Sequence, residues 1–245
     1  MSEIQWLVVA VAFLVAGISK GAVGIGLPPI AIGIMSFALP LSDAIAIMVI
    51  PTITTNFWQA FYGGHFRTMM KRFWTLGVAA FAGVILTGLV LGKIGMPEAV
   101  PWLGAVLVLY ATLALLAWRP HTPRRAEGWA NPFIGVASGA VAGVTGIAAV
   151  PFLPYMQSLA LAKDELVQAL GILFVFITVA LAVALAGRGV FDAANVLGGI
   201  AANVPVFVGI WLGQKLRHAA SPETFRRVFL IGMLAIGLHM ARAFL

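Results

Sequence analysis

Apolar segments follow one another along almost the whole chain, at roughly 4–20, 23–41, 44–63, 73–92, 99–118, 131–158, 166–186, 193–213 and 228–245. A helix of about twenty apolar residues crosses the hydrocarbon of a bilayer, and backbone polar groups in lipid are satisfied only inside helices or closed barrels. Hydrophobic residues fill 62% of the 245 positions and charged residues only 9%, more apolar surface than a soluble domain of this length can bury. The sequence therefore predicts an all-α integral membrane protein.

Two segments do not read as simple spans. The stretch 4–41 is too long for one helix and carries Lys20 as its only charge, beside Gly21-Ala22-Val23-Gly24-Ile25-Gly26-Leu27-Pro28-Pro29. An ammonium left in hydrocarbon costs about 2.5–3.5 kcal/mol on insertion scales. The stretch 131–158 breaks at Gly143-Val144-Thr145-Gly146 and again at Pro151 and Pro154, leaving arms of about a dozen residues. Broken helices at membrane depth are tolerated where they pack in protein or line a wet cavity. Both stretches are expected to be re-entrant hairpins.

Charge sets the orientation. If each hairpin returns to its starting side, one face receives Arg67, Lys71, Arg72, Arg119, Arg124, Arg125, Lys163, Lys215, Arg217, Arg226 and Arg227, and the other Lys93, Arg188 and Arg242. Eleven against three places the first face in the cytoplasm and both termini outside. The net charge of +7 follows from these loops and their contact with anionic lipid; no nucleic-acid partner is expected. Cysteine is absent, which removes disulfides and thiolate metal sites. The N-terminus has no basic n-region, so no cleaved signal peptide is expected.

The two broken stretches resemble each other. Gly21–Gly26 reads against Gly139–Gly146, each followed by proline and then a leucine-rich turn, at an offset of about 120 residues. The expected plan is two inverted repeats. The first is 1–118, with a hairpin at 4–41 and helices 44–63, 73–92 and 99–118. A basic cytoplasmic linker covers 119–130. The second repeat is 131–245, with a hairpin at 131–158 and helices 166–186, 193–213 and 228–245. Inverted hairpins enter from opposite faces, and their tips meet near the midplane, where such transporters bind substrate. Glycines let an oxyanion approach the backbone, and a helix N-terminus favours an anion.

Candidate substrate-binding residues follow from that geometry: Lys20, Gly21, Gly24 and Gly26 at the first tip, Gly143, Thr145 and Gly146 at the second. Thr52 and Asn56 lie four apart, on one helix face just after Pro51. Asn203 begins a polar break before Pro205, in the middle of the 193–213 segment. Each has a plain structural reading too. Lys20 can snorkel to an interface, and Thr and Asn commonly bond between membrane helices. Gln168 reads as structural, and His65, Arg67, Lys71 and Arg72 as a topology signal. No catalytic residues, metal site or cofactor are expected: the acidic residues all fall at segment edges, and Ser19 and Ser138 have no neighbouring base.

The paired glycine hairpins, the basic central loop and the two-half layout make the chain similar to the sulfite exporter TauE/SafE family of prokaryotic inner-membrane proteins. The resemblance covers essentially the whole sequence. It implies a multi-pass protein of the cytoplasmic membrane that exports sulfite or small organosulfonates such as sulfoacetate, and is not an enzyme. The second hairpin departs from symmetry, with Ser138 near the place of Lys20. The implied partners are a small anionic substrate and the lipid bilayer, and a homodimer is one assembly open to such a chain. The competing readings are an integral membrane enzyme acting on lipid phosphates and a passive anion channel.

Overall fold

The computed structural model describes residues 1–23, 26–61, 64–91, 98–116, 121–187, 192–219 and 222–242. All regular structure among them is helical. The elements are α1 (Glu3–Val23), α2 (Leu27–Met35), α3 (Leu41–Phe61), α4 (Phe66–Leu91) and α5 (Ala99–Leu115), then a 3-10 turn (Arg124–Ala126). There follow α6 (Glu127–Thr145), α7 (Phe152–Ser158), α8 (Lys163–Ala186), α9 (Ala193–Ala201), α10 (Asn203–Ala219) and α11 (Pro222–Ala241). Five stretches are long and apolar enough to cross a membrane: Glu3–Ala22, Leu41–Phe61, Phe66–Val90, Asp164–Ala186 and Ala193–Leu216. Ala99–Leu115 and Leu230–Ala241 are shorter apolar helices. An integral membrane protein of α-helices is the architecture these lengths support.

The chain divides into two compact units, Met1–Pro51 with Gly95–Leu116 and Arg188–Leu245, and Thr52–Ile94 with Ala117–Gly187. Each unit draws segments from both halves of the sequence. In the first unit α1 packs along α10, and α5 along α11. In the second, α4 packs along α6 and α8.

Glycine sets the closest of these approaches. A methyl group built on Gly17 would meet the Val206 carbonyl and stand 3.1 Å from the Gly209 Cα. One built on Gly209 would meet the Leu14 carbonyl and stand 3.0 Å from the Gly17 Cα. The second unit repeats that geometry. A methyl on Gly139 would meet the Ala80 carbonyl, 3.0 Å from the Gly83 Cα, and one on Gly83 the Val136 carbonyl, 3.1 Å from the Gly139 Cα. In all four cases the carbonyl belongs to the residue three before the partner glycine. Membrane helices gain little from hydrophobic driving force against lipid, so small residues that bring backbones into van der Waals contact hold such pairs together.

Both broken stretches fold as U-turns. The start of α1 is fixed by a reciprocal cap: Ser2 N donates to Gln5 Oε1 (2.9 Å) and Gln5 N to Ser2 Oγ (3.3 Å). Gln5 Nε2 then donates to the Ala38 carbonyl at 3.2 Å, so the residues after α2 return to the beginning of α1. In the second stretch Thr122 N donates to the Ser158 carbonyl at 3.0 Å, and the Thr122 and Ser158 hydroxyls are 2.6 Å apart. The end of α7 thus lies beside the residues that precede α6.

Several expectations need correction in extent: α10 runs to Ala219 instead of 213, and α11 begins at Pro222 instead of 228. α4 begins at Phe66 instead of 73, and α6 at Glu127 instead of 131. Both gain a charged beginning, and Arg72, in the second turn of α4, pairs with Glu127, the first residue of α6. The hairpin arms are unequal. α1 and α6 have 21 and 19 residues, whereas α2 and α7 have 9 and 7: α2 ends at Met35, before the turn at 36–39, and α7 begins only after Pro151. The break expected in 193–213 is present at Ala202, between α9 and α10.

Candidate functional site

At the first tip Lys20 occupies the last turn of α1, where a cation complements the helix dipole, and it is half-buried. Gly21 turns toward α10: a methyl there would meet the Ile210 carbonyl, so this face is occupied by backbone. Gly24 lies outside the described residues. Gly26 has φ 104°, in the left-handed region that L side chains rarely enter, and it precedes α2 directly. Pro28 and Pro29 have no N–H, and Ile30 N donates back to the Gly26 carbonyl at 3.3 Å. The two prolines thus remove two of the first-turn amides that a helix N-terminus normally presents.

Asn203, in the same unit, opens α10. Its Nδ2 donates to the Gly199 and Ile200 carbonyls at 3.0 and 3.2 Å, which covers the last turn of α9 across the break. The start of α9 is capped by Asp192, whose Oδ1 accepts from Asn195 N at 2.7 Å. Asn195 in turn donates to Asp43 on α3 at 3.4 Å.

At the second tip Gly146 has φ 79° and ends α6, its N–H donating to Ala142 O at 2.7 Å. Thr145 is buried and its hydroxyl is engaged locally: it donates to Val141 O at 2.8 Å and accepts from Ile147 N at 3.2 Å. That arrangement closes the broken helix end. Gly143 packs against the Thr87 side chain, with 2.8 Å from a built methyl to Thr87 Cβ. Within the second unit Thr52 and Asn56 are buried on one stripe of α3, as their spacing requires, with Thr55 buried beside them and donating to Thr52 O at 3.3 Å. Trp58, one turn on, is exposed, and Gln59 donates to Val167 O at 2.8 Å. Gln168 is a full structural latch, donating to Ala60 O at 2.7 Å and accepting from His65 N at 2.7 Å.

A polar cluster that the sequence did not signal lies at the start of α6. Arg72 donates from Nε to Glu127 Oε2 at 2.8 Å and from an Nη to Oε1 at 2.6 Å, a two-point pair with Glu127 buried. Asn131 Nδ2 donates to the Arg72 carbonyl at 3.2 Å, and the Tyr155 hydroxyl donates to Asn131 Oδ1 at 2.6 Å. The network joins α4, α6 and α7. Glu127 and Asn131 are one turn apart, so a helix begun at Glu127 would have revealed the shared face; the apolar reading began at 131 and hid it.

Five apolar helices of spanning length, with a left-handed glycine before α2 and another ending α6, and a lysine in the last turn of α1, define a polytopic α-helical membrane protein. Over residues 9–240 the chain matches the model of the sulfite exporter TauE/SafE family, and it belongs to that family. Membership makes it a multi-pass membrane protein of a family that exports sulfite and organosulfonates, with the bilayer and a small anion as its partners. Comparison with curated proteins and with solved structures found no match.

Proposed function

We propose that this chain exports sulfite or a small organosulfonate such as sulfoacetate from the cytoplasm, by alternating access around two hairpin tips. The observation that carries the reading is a pair of equal spacings. Gly26 and Gly146, the two left-handed glycines at the breaks, are 120 residues apart. Ala38 and Ser158, whose carbonyls close the two U-turns, are also 120 apart. The matched glycine crossings, Gly17 on Gly209 and Gly139 on Gly83, support the same duplication. Each half then holds one hairpin and three further crossings, α3–α5 and α8 to α11 with α9–α10 counted as one. An odd number of crossings inverts the second half relative to the first.

In this reading the repeats are 1–118 and 131–245, with the second taking in the extra turn from Glu127, and both termini are periplasmic. Lys20 supplies the positive charge for the anion. Gly21 and Gly26, with Gly143 and Gly146, keep the tips narrow enough for backbone approach, and Gly24 joins them by its place in the sequence alone. Thr52, Asn56, Thr145 and Asn203 supply neutral donors; this requires the Thr145 hydroxyl to leave Val141 and the Asn203 amide to leave a carbonyl of α9. Sulfite efflux is favoured by the inside-negative potential, which makes uniport sufficient.

Purified protein in liposomes, tested with sulfite, sulfate, sulfoacetate, taurine, sulfolactate, thiosulfate and simple carboxylates, provides the test. Saturable flux of sulfite or a sulfonate is expected. Flux confined to cations or neutral solutes would overturn the reading, and flux that never saturates would make the protein a channel.

A further inference from the structure

The second unit carries an outward-facing groove of about 420 Å3 between α3, α4 and α8. Every residue lining it is apolar, from Phe61 and Phe66 at one end to Phe81 and Val179 at the other. Phe66 and Phe81 are fifteen residues apart on α4, about 22 Å at 1.5 Å per residue, more than the roughly 15 Å depth of one leaflet. Phe61 and Phe66 stack with centroids 4.7 Å apart and planes at 15°, forming an aromatic wall at one end. Phe57 and Phe61, on its edge, remain 55% and 56% exposed.

That same end is basic. Arg67 and Lys71 each follow a lining residue, Phe66 and Met70, and stand one turn apart on α4, both exposed. The neighbouring Arg72 is committed to Glu127, whereas no ion pair involves Arg67 or Lys71 among the described residues. Acidic side chains are absent from the groove wall.

We propose that this groove is a binding site for an anionic phospholipid, one acyl chain lying along α4 and the phosphate held by Arg67 and Lys71. The chain alone gives no preference, since surrounding lipid is equally apolar; the headgroup sets it. Each basic side chain near an anionic headgroup favours it about fivefold, so the pair favours it roughly ten- to thirty-fold. A second copy of this chain is a poorer occupant. A two-fold pairing through the groove sets Arg67 and Lys71 of one copy beside the same residues of the other. The inference needs only a bilayer and is independent of what the protein exports.

Native mass spectrometry of the detergent-purified full chain, with equal phosphatidylglycerol and phosphatidylcholine added, tests it. The wild type should retain phosphatidylglycerol about ten- to thirty-fold more than phosphatidylcholine, unaffected by millimolar inorganic phosphate. Arg67→Gln with Lys71→Gln should abolish the preference while keeping a bound lipid. Val175→Trp, which fills the groove, should lose both lipids. Equal retention by the wild type, or an unchanged preference in the double Gln variant, would overturn the proposal. So would a dimer that Val175→Trp dissociates, which would make a second copy the occupant. Should Val175→Trp fail to fold, the double Gln variant alone decides.

Discussion

Gly139 of α6 lies against Gly83 of α4 so closely that a methyl group on either would stand 3.0–3.1 Å from the other's Cα and run into a backbone carbonyl. Neither backbone can give way without moving its helix. Gly139→Ala is therefore expected to destabilise by about 1–3 kcal/mol, the usual cost of overpacking. Gly128→Ala is the control on the same helix: its methyl meets nothing within 4 Å, and it should leave stability unchanged or raise it by up to about 1 kcal/mol. Thermal unfolding in detergent compares the two. Equal midpoints would mean that α4 and α6 do not touch as described.

The Arg72–Glu127 pair predicts strong coupling. Removing Arg72 strands the buried Glu127, at about 3–5 kcal/mol, and removing Glu127 strands the partly exposed Arg72 at a smaller cost, whereas removing both strands neither. Arg72→Ala should lower stability sharply and Glu127→Ala less so, and the double variant by clearly less than their sum. Purely additive losses in a double-mutant cycle would show that the two side chains do not pair.

Lys20→Ala should reduce sulfite flux to background while the protein still expresses, inserts and unfolds at a near-normal temperature. Its charge sits at the end of α1, and the methyl of alanine fits any site that lysine occupies. Near-normal flux would return Lys20 to an interfacial anchoring role.

The left-handed glycines separate strain from function. Gly26, Gly64 and Gly146 all have φ between 79° and 104°. Alanine at each should cost about 1–2 kcal/mol of backbone strain. Gly64 has open space around it and lies away from the breaks, so Gly64→Ala should keep its flux. Gly26→Ala and Gly146→Ala should lose flux beyond their loss of stability. If all three variants fall in flux alike, the tips have no special place in transport.

The hairpins were legible because their punctuation is chemical: glycine at the left-handed residue, proline just beyond it. Thr52 and Asn56 were legible as one face because helical spacing alone decides that. The starts of α4 and α6 were not, because a search for apolar runs stops at the first charge. Arg72 and Glu127 are each unfavourable in lipid alone and acceptable together, and their pairing spans 55 residues of sequence. The short second arms escape the sequence for a similar reason: residues 36–39 continue the apolar run of α2, yet they form the turn that closes on Gln5. The position of Thr145 between glycines suggests a ligand donor, but its hydroxyl is engaged with Val141 and Ile147, a local closure that spacing does not reveal.

The glycine crossing of α1 on α10 has a consequence for how the chain is made. α6 finds its partner α4 already synthesised, but α1 precedes α10 in the chain and must wait for Gly209 and Gly213. Until α10 is made, the Gly17 and Gly21 notch lacks the backbone that fills it in the folded chain. A chain stopped before α10 would leave that notch open, so quality control in the membrane has a ready mark of an unfinished molecule: an uncovered glycine groove near the N-terminus.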